Sequence, residues 1–313
     1  MSIRIQSPPS FVPGVEQYIM SESLRTAVEV AIALEQPLLL TGEPGTGKTR
    51  LAFKVAAELA KQKGKLNFID KPFIFNTKTT SIARDLFYTY DALAHFQAAN
   101  LEKSKKTSTA DFIELQAFGK AIALTKPSAI DSKHFRTDLG KKAQSTVVLI
   151  DEIDKAPRDF PNDILSEIER YEFQIKEQDN YNVSRDPSHR VLVIMTSNSE
   201  KNLPDAFLRR CVFYHIPFPD KKLLLEISKS QLGTATKYTD ALLEELIEKF
   251  KAIRKQAVRK PPATAELIAW LRILEMNDIM GKEAEQHKEQ LRSHLSVLVK
   301  TKEDMDAVRG LFE

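Results

Sequence analysis

This 313-residue chain has almost no cysteine, no long apolar run and no strong excess of one charge. Its single cysteine, Cys211, excludes a disulfide framework and fits a reducing compartment. Glu35, Gln36 and Pro37 interrupt the longest apolar stretch, so we expect no insertion into a membrane. Residues 1–10 lack the apolar core of a signal peptide. Together these absences predict a soluble, cytoplasmic protein.

The composition is that of a globular protein. Hydrophobic residues make up 42% and charged residues 28% of the chain, which excludes a disordered protein. A chain of 313 residues can form one large domain or two modest ones. The formal net charge of +3 is too small to indicate binding to nucleic acid. Any function must therefore be read from the motifs.

A glycine-rich segment follows the first short apolar stretch. The pattern G-x-x-x-x-G-K-[ST] is met in full by Gly42, Gly47, Lys48 and Thr49. The glycines can adopt positive φ angles, so that consecutive backbone N–H groups turn inward around phosphate oxygens. A helix that begins at Lys48 would add its positive end to this field. The segment therefore predicts a phosphate loop.

The residue types in and after the loop match the parts of a nucleoside triphosphate. Lys48 can reach the β- and γ-phosphates, and the Thr49 hydroxyl can hold Mg²⁺. The residues that we expect to bind the nucleotide here are Gly42, Glu43, Pro44, Gly45, Thr46, Gly47, Lys48, Thr49 and Arg50.

Five short segments are apolar over almost their whole length, as is typical of parallel strands buried on both faces. They are residues 38–40, 73–76, 147–150, 191–195 and 212–216. Helical patterns alternate with them, which predicts a doubly wound α/β fold with helices on both faces of a parallel sheet.

The strand-like apolar runs end near residue 217, where two prolines precede a series of helical patterns. We therefore predict an α/β domain over 1–219 and a small all-helical domain over 220–313. The connection 77–146 is longer than one crossover helix needs and indicates an insertion. Alternating apolar residues followed by Asp179-Asn180 predict a β-hairpin within 171–190.

Polar residues end three of the predicted strands. Asp151 follows the third strand and can hold Mg²⁺ with Thr49, while Glu152 can orient or deprotonate the attacking water. Asn198 follows the fourth strand and could contact that water or the γ-phosphate, or it could simply close the strand. Asn76 ends the second strand and has the same two interpretations, with the further option of holding Glu152 away from the water.

The order of these motifs resembles the AAA+ ATPases, specifically the MoxR-like, dynein-related branch. The resemblance rests on the phosphate loop, Leu-Ile-Asp-Glu-Ile-Asp154, Met-Thr-Ser-Asn198 and Leu-Pro-Asp-Ala-Phe-Leu-Arg-Arg210. It implies a P-loop fold with five strands in the order 5-1-4-3-2, a helical lid, and ATP with Mg²⁺ as cofactors. It also implies that Asp151 and Glu152 form the Walker B motif, that Asn198 is sensor 1 and that Asn76 is a glutamate switch.

The resemblance extends to residues outside the loop. Arg210, or else Arg209, occupies the place of an arginine that reaches the γ-phosphate bound by a neighbouring subunit, which implies a homo-hexameric ring. Tyr18 lies in the linker that the family uses around the adenine. The sensor 2 arginine is missing, because its place falls at Ala263–Ala265. Lys260, Arg259 and Arg272 are the nearby substitutes.

The resemblance implies a chaperone-like ATPase that remodels or matures a protein client, often alongside a protein with a von Willebrand factor A domain. One alternative is a nucleic-acid-directed motor, but the basic residues on the insertions are too few and too mixed with acids. They are Lys103, Lys105, Lys106, Lys176 and Arg185. Another alternative is a slow, nucleotide-gated scaffold or signalling module, which the missing sensor 2 arginine would suit.

Overall fold

The structure is a computed structural model that describes residues 14–62, 64, 66–101, 108–199, 203–277 and 284–312. Residues 1–10, on which the absence of a signal peptide was judged, lie outside these ranges, as do Lys103, Lys105 and Lys106. Within the described ranges, no helix is both long and apolar enough to cross a bilayer.

The chain forms two compact units. The sheet unit comprises Met20–Gly42 and Lys48–Ile216. The helical unit comprises the described residues up to Ile19, the segment Glu43–Gly47 and the chain from Pro217 onward. The central residues of the phosphate loop therefore group with the C-terminal helices, while the two ends of the loop belong to the sheet unit.

The elements are as follows. The strands are β1 (Leu38–Gly42), β2 (Phe73–Asn76), β3 (Tyr88–Tyr90), β4 (Ile113–Leu115), β5 (Thr146–Asp151), β6 (Glu172–Ile175), β7 (Tyr181–Ser184), β8 (Val191–Thr196) and β9 (Val212–Ile216). The helices of the sheet unit are α1 (Glu22–Leu34), α2 (Lys48–Lys61), α3 (Arg84–Phe87), α4 (Ala92–Leu101), α5 (Ala117–Leu124), α6 (Phe160–Asp163), α7 (Leu165–Arg170) and α8 (Asp205–Leu208). Those of the helical unit are α9 (Lys221–Leu232), α10 (Asp240–Gln256), α11 (Thr264–Met276), α12 (Ala284–Ser293), α13 (Leu295–Leu298) and α14 (Lys302–Arg309).

A parallel sheet in the order β2-β5-β8-β1-β9 forms the centre of the sheet unit. These are the five predicted strands, and their order is the predicted 5-1-4-3-2 read from the opposite edge. β1 and β8 are buried along their whole length, because apolar side chains cover both of their faces. The predicted fold class is confirmed.

Helix α1 leads directly into strand β1, between β8 and the edge strand β9. The Ser21 hydroxyl caps the helix by accepting a hydrogen bond from the Leu24 N–H at 3.2 Å. Leu24, Val28 and Ala31 are the buried positions of its inner face. The helix ends at Glu35, which adopts a left-handed conformation with φ of 54°.

The connection between β2 and β5 contains more regular structure than the sequence predicted. β3 and β4 pair antiparallel, and the apolar helix α5 follows them into the core. Gly119 lies where α5 meets the backbone of Phe87, and a Cβ there would lie 2.0 Å from the Phe87 carbonyl oxygen. The insertion is thus anchored by close backbone packing at its base.

The predicted hairpin within 171–190 is present as β6 and β7. Phe173 and Ile175 are buried, as their alternation with polar neighbours indicated. Asp179 and Asn180 both have positive φ, but a short 3-10 turn at Lys176–Gln178 precedes them. The connection is therefore longer than a two-residue turn.

The helical unit has its own apolar core. Leu246, Phe250, Trp270 and Leu271 are fully buried in it. The helix α14 was not predicted, and its Val308 joins this core. No strand occurs among the described residues after Ile216, in agreement with the sequence.

Candidate functional site

The carboxyl ends of β1, β5 and β8 meet at one edge of the sheet, as the ends of neighbouring parallel strands must. Lys48, at the start of α2, is only 8% exposed beside this edge. Its ammonium group donates hydrogen bonds to the Gly42 carbonyl oxygen at 2.7 Å and to Asn198 Oδ1 at 3.0 Å. A largely buried ammonium group is a strong attractor for phosphate oxygens. The predicted Lys48 and Asn198 are therefore brought together.

Asp151 lies at the same edge, beside Thr49. The Thr49 hydroxyl donates to Asp151 Oδ1 at 3.0 Å and to Oδ2 at 3.2 Å. Hydroxyl and carboxylate oxygens are the protein ligands that Mg²⁺ takes, with water and phosphate oxygens completing its octahedron. In the described part of the chain, no cluster of three or more His, Cys, Asp or Glu side chains could hold a metal. The Thr49–Asp151 pair is thus the oxygen-donor set that fits the predicted ion.

Thr196 belongs to this site, although the sequence assigned it no role. Its buried hydroxyl donates to Asp151 Oδ1 at 2.6 Å and accepts a hydrogen bond from the Glu152 N–H at 2.8 Å. One side chain therefore orients the carboxylate of Asp151 and the backbone of Glu152. No local sequence pattern indicates this contact. Thr196 comes close to Asp151 only because β5 and β8 pair as neighbouring strands in this register.

Glu152 immediately follows β5 and has a left-handed backbone, with φ of 57° and ψ of 51°. For a residue other than glycine this conformation is strained, and such strain concentrates at functional sites. Its carboxylate is hydrogen-bonded to the ammonium of Lys155, one turn further along the chain. Because the Lys155 ammonium donates this hydrogen bond to a carboxylate, its pKa is raised above the ordinary value.

Asn76 ends β2, and its backbone is in register with Asp151. Its side chain is exposed. Among the described residues no hydrogen bond joins Asn76 to Glu152, whose carboxylate is held by Lys155 instead. The predicted Asn76 therefore lies at the end of the strand next to β5, and its role as a glutamate switch stays a prediction.

The two candidate finger arginines follow α8. Arg210 forms an ion pair through its Nε with Glu169 Oε1 at 2.5 Å and donates to the Ala206 carbonyl oxygen at 3.1 Å. Both Arg209 and Arg210 are exposed. No contact among the described residues links either arginine to Lys48 or Asp151.

The central part of the phosphate loop, Glu43–Gly47, is described within the helical unit. Gly45 and Gly47 have φ angles of +79° and +88°, which other residues rarely adopt. A Cβ on Gly47 would lie 2.9 Å from Cε2 of Tyr18, so the tyrosine ring covers this glycine. The Thr46 hydroxyl donates to the Glu43 carbonyl oxygen at 2.8 Å. The predicted Tyr18 thus packs on the loop itself.

The remaining residues of the predicted nucleotide set have exposed side chains. Pro44 lies in the loop, and Arg50 lies in the first turn of α2. Exposure at these positions leaves the neighbourhood of the loop open to a ligand.

The start of α11, where the sensor 2 arginine was sought, presents small residues to the loop. A Cβ on Gly45 would lie 3.0 Å from the Ala263 Cβ and 3.5 Å from the Ala265 Cβ. Of the proposed substitutes, Arg272 donates to the Gln231 carbonyl oxygen at 2.9 Å, and Arg259 and Lys260 are exposed. Arg254, which the sequence did not single out, contacts the loop through Glu43.

A comparison with protein families decides the identity of this arrangement. Residues 38–219, more than half of the chain, match the ATPase family associated with various cellular activities (AAA). The chain belongs to the AAA family. Its AAA region begins with β1 and ends just after β9, so the match contains the whole parallel sheet and every strand end described above.

Two further comparisons concern solved structures and curated proteins. A solved structure described as "Structural Basis for Katanin Self-Assembly" is similar to this AAA protein, with a TM-score of 0.46 and 14% sequence identity. The similarity covers 95% of this chain and 89% of the other. Among curated proteins, no match to this AAA chain is found. The family match is general and does not distinguish the MoxR-like branch.

Proposed function

We propose that this AAA protein is an Mg²⁺-dependent ATPase of the MoxR-like branch, which couples ATP hydrolysis to the remodelling or maturation of a partner protein. The observation that carries the ATPase proposal is the meeting of Lys48, Asp151 and Asn198 at one edge of the sheet. Membership of the AAA family supports ATPase activity in general. The MoxR-like assignment rests on the motifs in the sequence.

The residues at the edge of the sheet fit an Mg²⁺–ATP complex. Thr49 and Asp151 would hold the ion, and Lys48 would exchange its neutral acceptors for phosphate oxygens. Bound Mg²⁺ would supply positive charge at the β- and γ-phosphate oxygens. Thr196 keeps the Asp151 carboxylate aimed at Thr49 in advance. Tyr18 would border the adenine, next to the glycine that it covers.

Glu152 is the proposed base for the attacking water, and Asn198 would orient the same water. The carboxylate of Glu152 must first part from Lys155, because the oxygen that accepts from the ammonium is directed at Lys155 rather than at a water. The pair lies at the surface, where such ion pairs contribute little to stability and exchange readily. Loss of this pair would therefore be an easy step toward the active arrangement.

The proposed site is completed by a second subunit. Arg210, with Arg209 as the second choice, would stabilise the γ-phosphate bound by its neighbour, because both are exposed and contact none of the site residues of their own chain described here. An arginine supplied in trans contributes about 10³–10⁵ in rate in other phosphoryl-transfer systems. This arrangement requires a homo-oligomeric ring, which the MoxR-like motifs suggest is a hexamer.

The proposed partner is a protein client in the cytoplasm, presented by a protein with a von Willebrand factor A domain. We retain 1–219 as the AAA domain and 220–313 as the lid in this proposal. Nucleic acid is a poor alternative partner, because Arg185 is bound to Glu35 at 2.5 Å and is largely buried. A slow nucleotide-gated scaffold is the second candidate, favoured by the alanines that replace a cation at the start of α11.

The proposal is tested by ATP turnover measured over a range of protein concentrations with and without Mg²⁺. We expect turnover that requires Mg²⁺ and a specific activity that rises with protein concentration as rings assemble. A very slow rate that does not depend on concentration would favour the scaffold. Stimulation by single- or double-stranded DNA would instead indicate a nucleic-acid motor.

A further inference from the structure

Arg254, near the end of α10, makes three contacts within the helical unit. Its Nη2 forms an ion pair with Glu43 Oε2 at 2.5 Å, and its Nη1 donates to the Pro262 carbonyl oxygen at 2.7 Å. The guanidinium carbon lies 3.7 Å from the centre of the Phe218 ring, which it faces. The side chain is only 17% exposed. Arg254 is therefore held in one orientation by a carboxylate, a carbonyl group and an aromatic ring.

Glu43 connects this contact to the proposed nucleotide site. It is the second residue of the G-x-x-x-x-G-K-[ST] pattern, and its carbonyl oxygen accepts the hydrogen bond from Thr46. A restraint on Glu43 is thus a restraint on the backbone that would surround the phosphates. The same residue places a negative charge beside a predicted anion site, and Arg254 offsets that charge.

We infer that Arg254 is a positioning residue that holds the phosphate loop through Glu43, and that it does so equally for ATP and ADP. The inference rests on the proposed nucleotide site. A lid arginine that touches the γ-phosphate would distinguish ATP from ADP, whereas Arg254 has its donors directed at Glu43 and Pro262. The helix start that faces Gly45 carries Ala263, Ala265 and the carboxylate of Glu266. The lid would thus respond to the shape of the loop rather than to the third phosphate.

The test is a double-mutant cycle read by nucleotide affinity. Arg254→Gln removes the charge but keeps a donor and an aliphatic stem over Phe218, so it should fold even if Arg254→Ala does not. We expect Arg254→Gln to weaken fluorescent ATP and ADP analogues by the same factor, about tenfold, because Glu43 loses its charged partner. Under steady-state turnover, KM should rise while kcat stays within about twofold.

The second arm adds Glu43→Gln to Arg254→Gln. Removing the carboxylate as well should restore the affinity for both nucleotides to within about threefold of the wild type, because the negative charge that Arg254 offsets is removed with it. A merely structural role for Arg254 would not be rescued in this way. Lys255→Gln is the matched control, since it removes one exposed cation from the adjacent position of α10 and should leave both affinities unchanged.

Three results would overturn the inference: a loss confined to ATP, which would make Arg254 a γ-phosphate contact; no loss for either nucleotide; or an equal loss that Glu43→Gln fails to rescue. Each of these results differs from the result expected if the proposed function is wrong. If the proposed function is wrong, the wild-type protein itself binds neither nucleotide.

Discussion

The hydroxyl of Thr196 donates a 2.6 Å hydrogen bond to Oδ1 of Asp151, across the neighbouring strands β8 and β5. The same oxygen also accepts from the Thr49 hydroxyl at 3.0 Å. A carboxylate that is oriented by two hydroxyl groups needs little rearrangement to bind an ion, since its rotamer is already restricted. Thr196 is therefore the outer support of the proposed Mg²⁺ site.

Thr196→Val should weaken the response to Mg²⁺. The methyl group keeps the volume of the buried side chain, but Asp151 loses a donor and the Glu152 N–H loses its acceptor. Second-shell changes of this kind cost about 10- to 100-fold in metal affinity. We expect the Mg²⁺ concentration for half-maximal ATP turnover to rise by at least about tenfold. Thr196→Ser, which keeps the hydroxyl, should stay near the wild type; an unchanged Mg²⁺ dependence in Thr196→Val would contradict the assignment.

Arg210→Ala should abolish turnover while leaving ATP binding and assembly intact. If the arginine acts on the neighbour's nucleotide, the loss should approach the ~10³-fold lower bound for arginines supplied in trans. Arg209→Ala separates the two candidate arginines, because it removes the adjacent exposed cation and should reduce turnover much less than Arg210→Ala. Turnover should be measured by phosphate release, and assembly by light scattering at the same protein concentration.

Subunit mixing makes the arginine test more specific. Arg210→Ala subunits keep Glu152, and Glu152→Gln subunits keep Arg210, so mixed rings should contain some complete sites. We expect two nearly inactive preparations to regain turnover when they are mixed and allowed to reassemble. Absence of recovery in rings shown to be mixed would place Arg210 outside the neighbour's site.

Cys211 should react slowly with thiol reagents. Burial raises the pKa of its thiol from an ordinary value of 9.0 to about 12, and its Sγ lies 3.3 Å from the Phe207 carbonyl oxygen. At pH 8 the thiolate fraction would then be about 10³-fold lower than in an unfolded chain. Iodoacetamide labelling of the native protein should be slower than in urea by a comparable factor. Equal rates would show that the thiol is accessible.

The raised pKa of Cys211 also predicts how the free energy of unfolding changes at high pH. The neutral thiol is favoured in the folded state, so its contribution is fully present below about pH 9 and is lost as the pH rises toward 12. Urea unfolding of the wild type should therefore lose stability across this range more steeply than unfolding of Cys211→Ala. A parallel pH dependence for the two proteins would contradict the shift.

The sequence predicted the central sheet well because its strands carry a strong signal. Each is a short, almost continuous apolar run, and the motifs set their order. The pair β3 and β4 escaped prediction because each strand is only three residues long and pairs with a distant partner. The helix α14 escaped because it is short, Lys302–Arg309, and few of its positions are apolar.

Within the site, local patterns were readable and long-range contacts were not. The residues of the phosphate loop and the Asp151-Glu152 pair follow from spacing alone. The contact between Arg254 and Glu43 joins residues 211 positions apart, and nothing in either local sequence points to the other. The Lys155 contact with Glu152 spans only three positions, but a surface pair of this kind carries no signal of function by itself.

The most direct measurement of the central claim compares ATP binding with ATP turnover in Glu152→Gln. The substitution keeps the shape of the side chain and removes the carboxylate that would act on the water. With Mg²⁺ present, we expect the affinity for ATP to stay within about threefold of the wild type and the single-turnover rate to fall by at least ~10²-fold. Near-normal hydrolysis by this variant would contradict the assignment of Glu152 as the base.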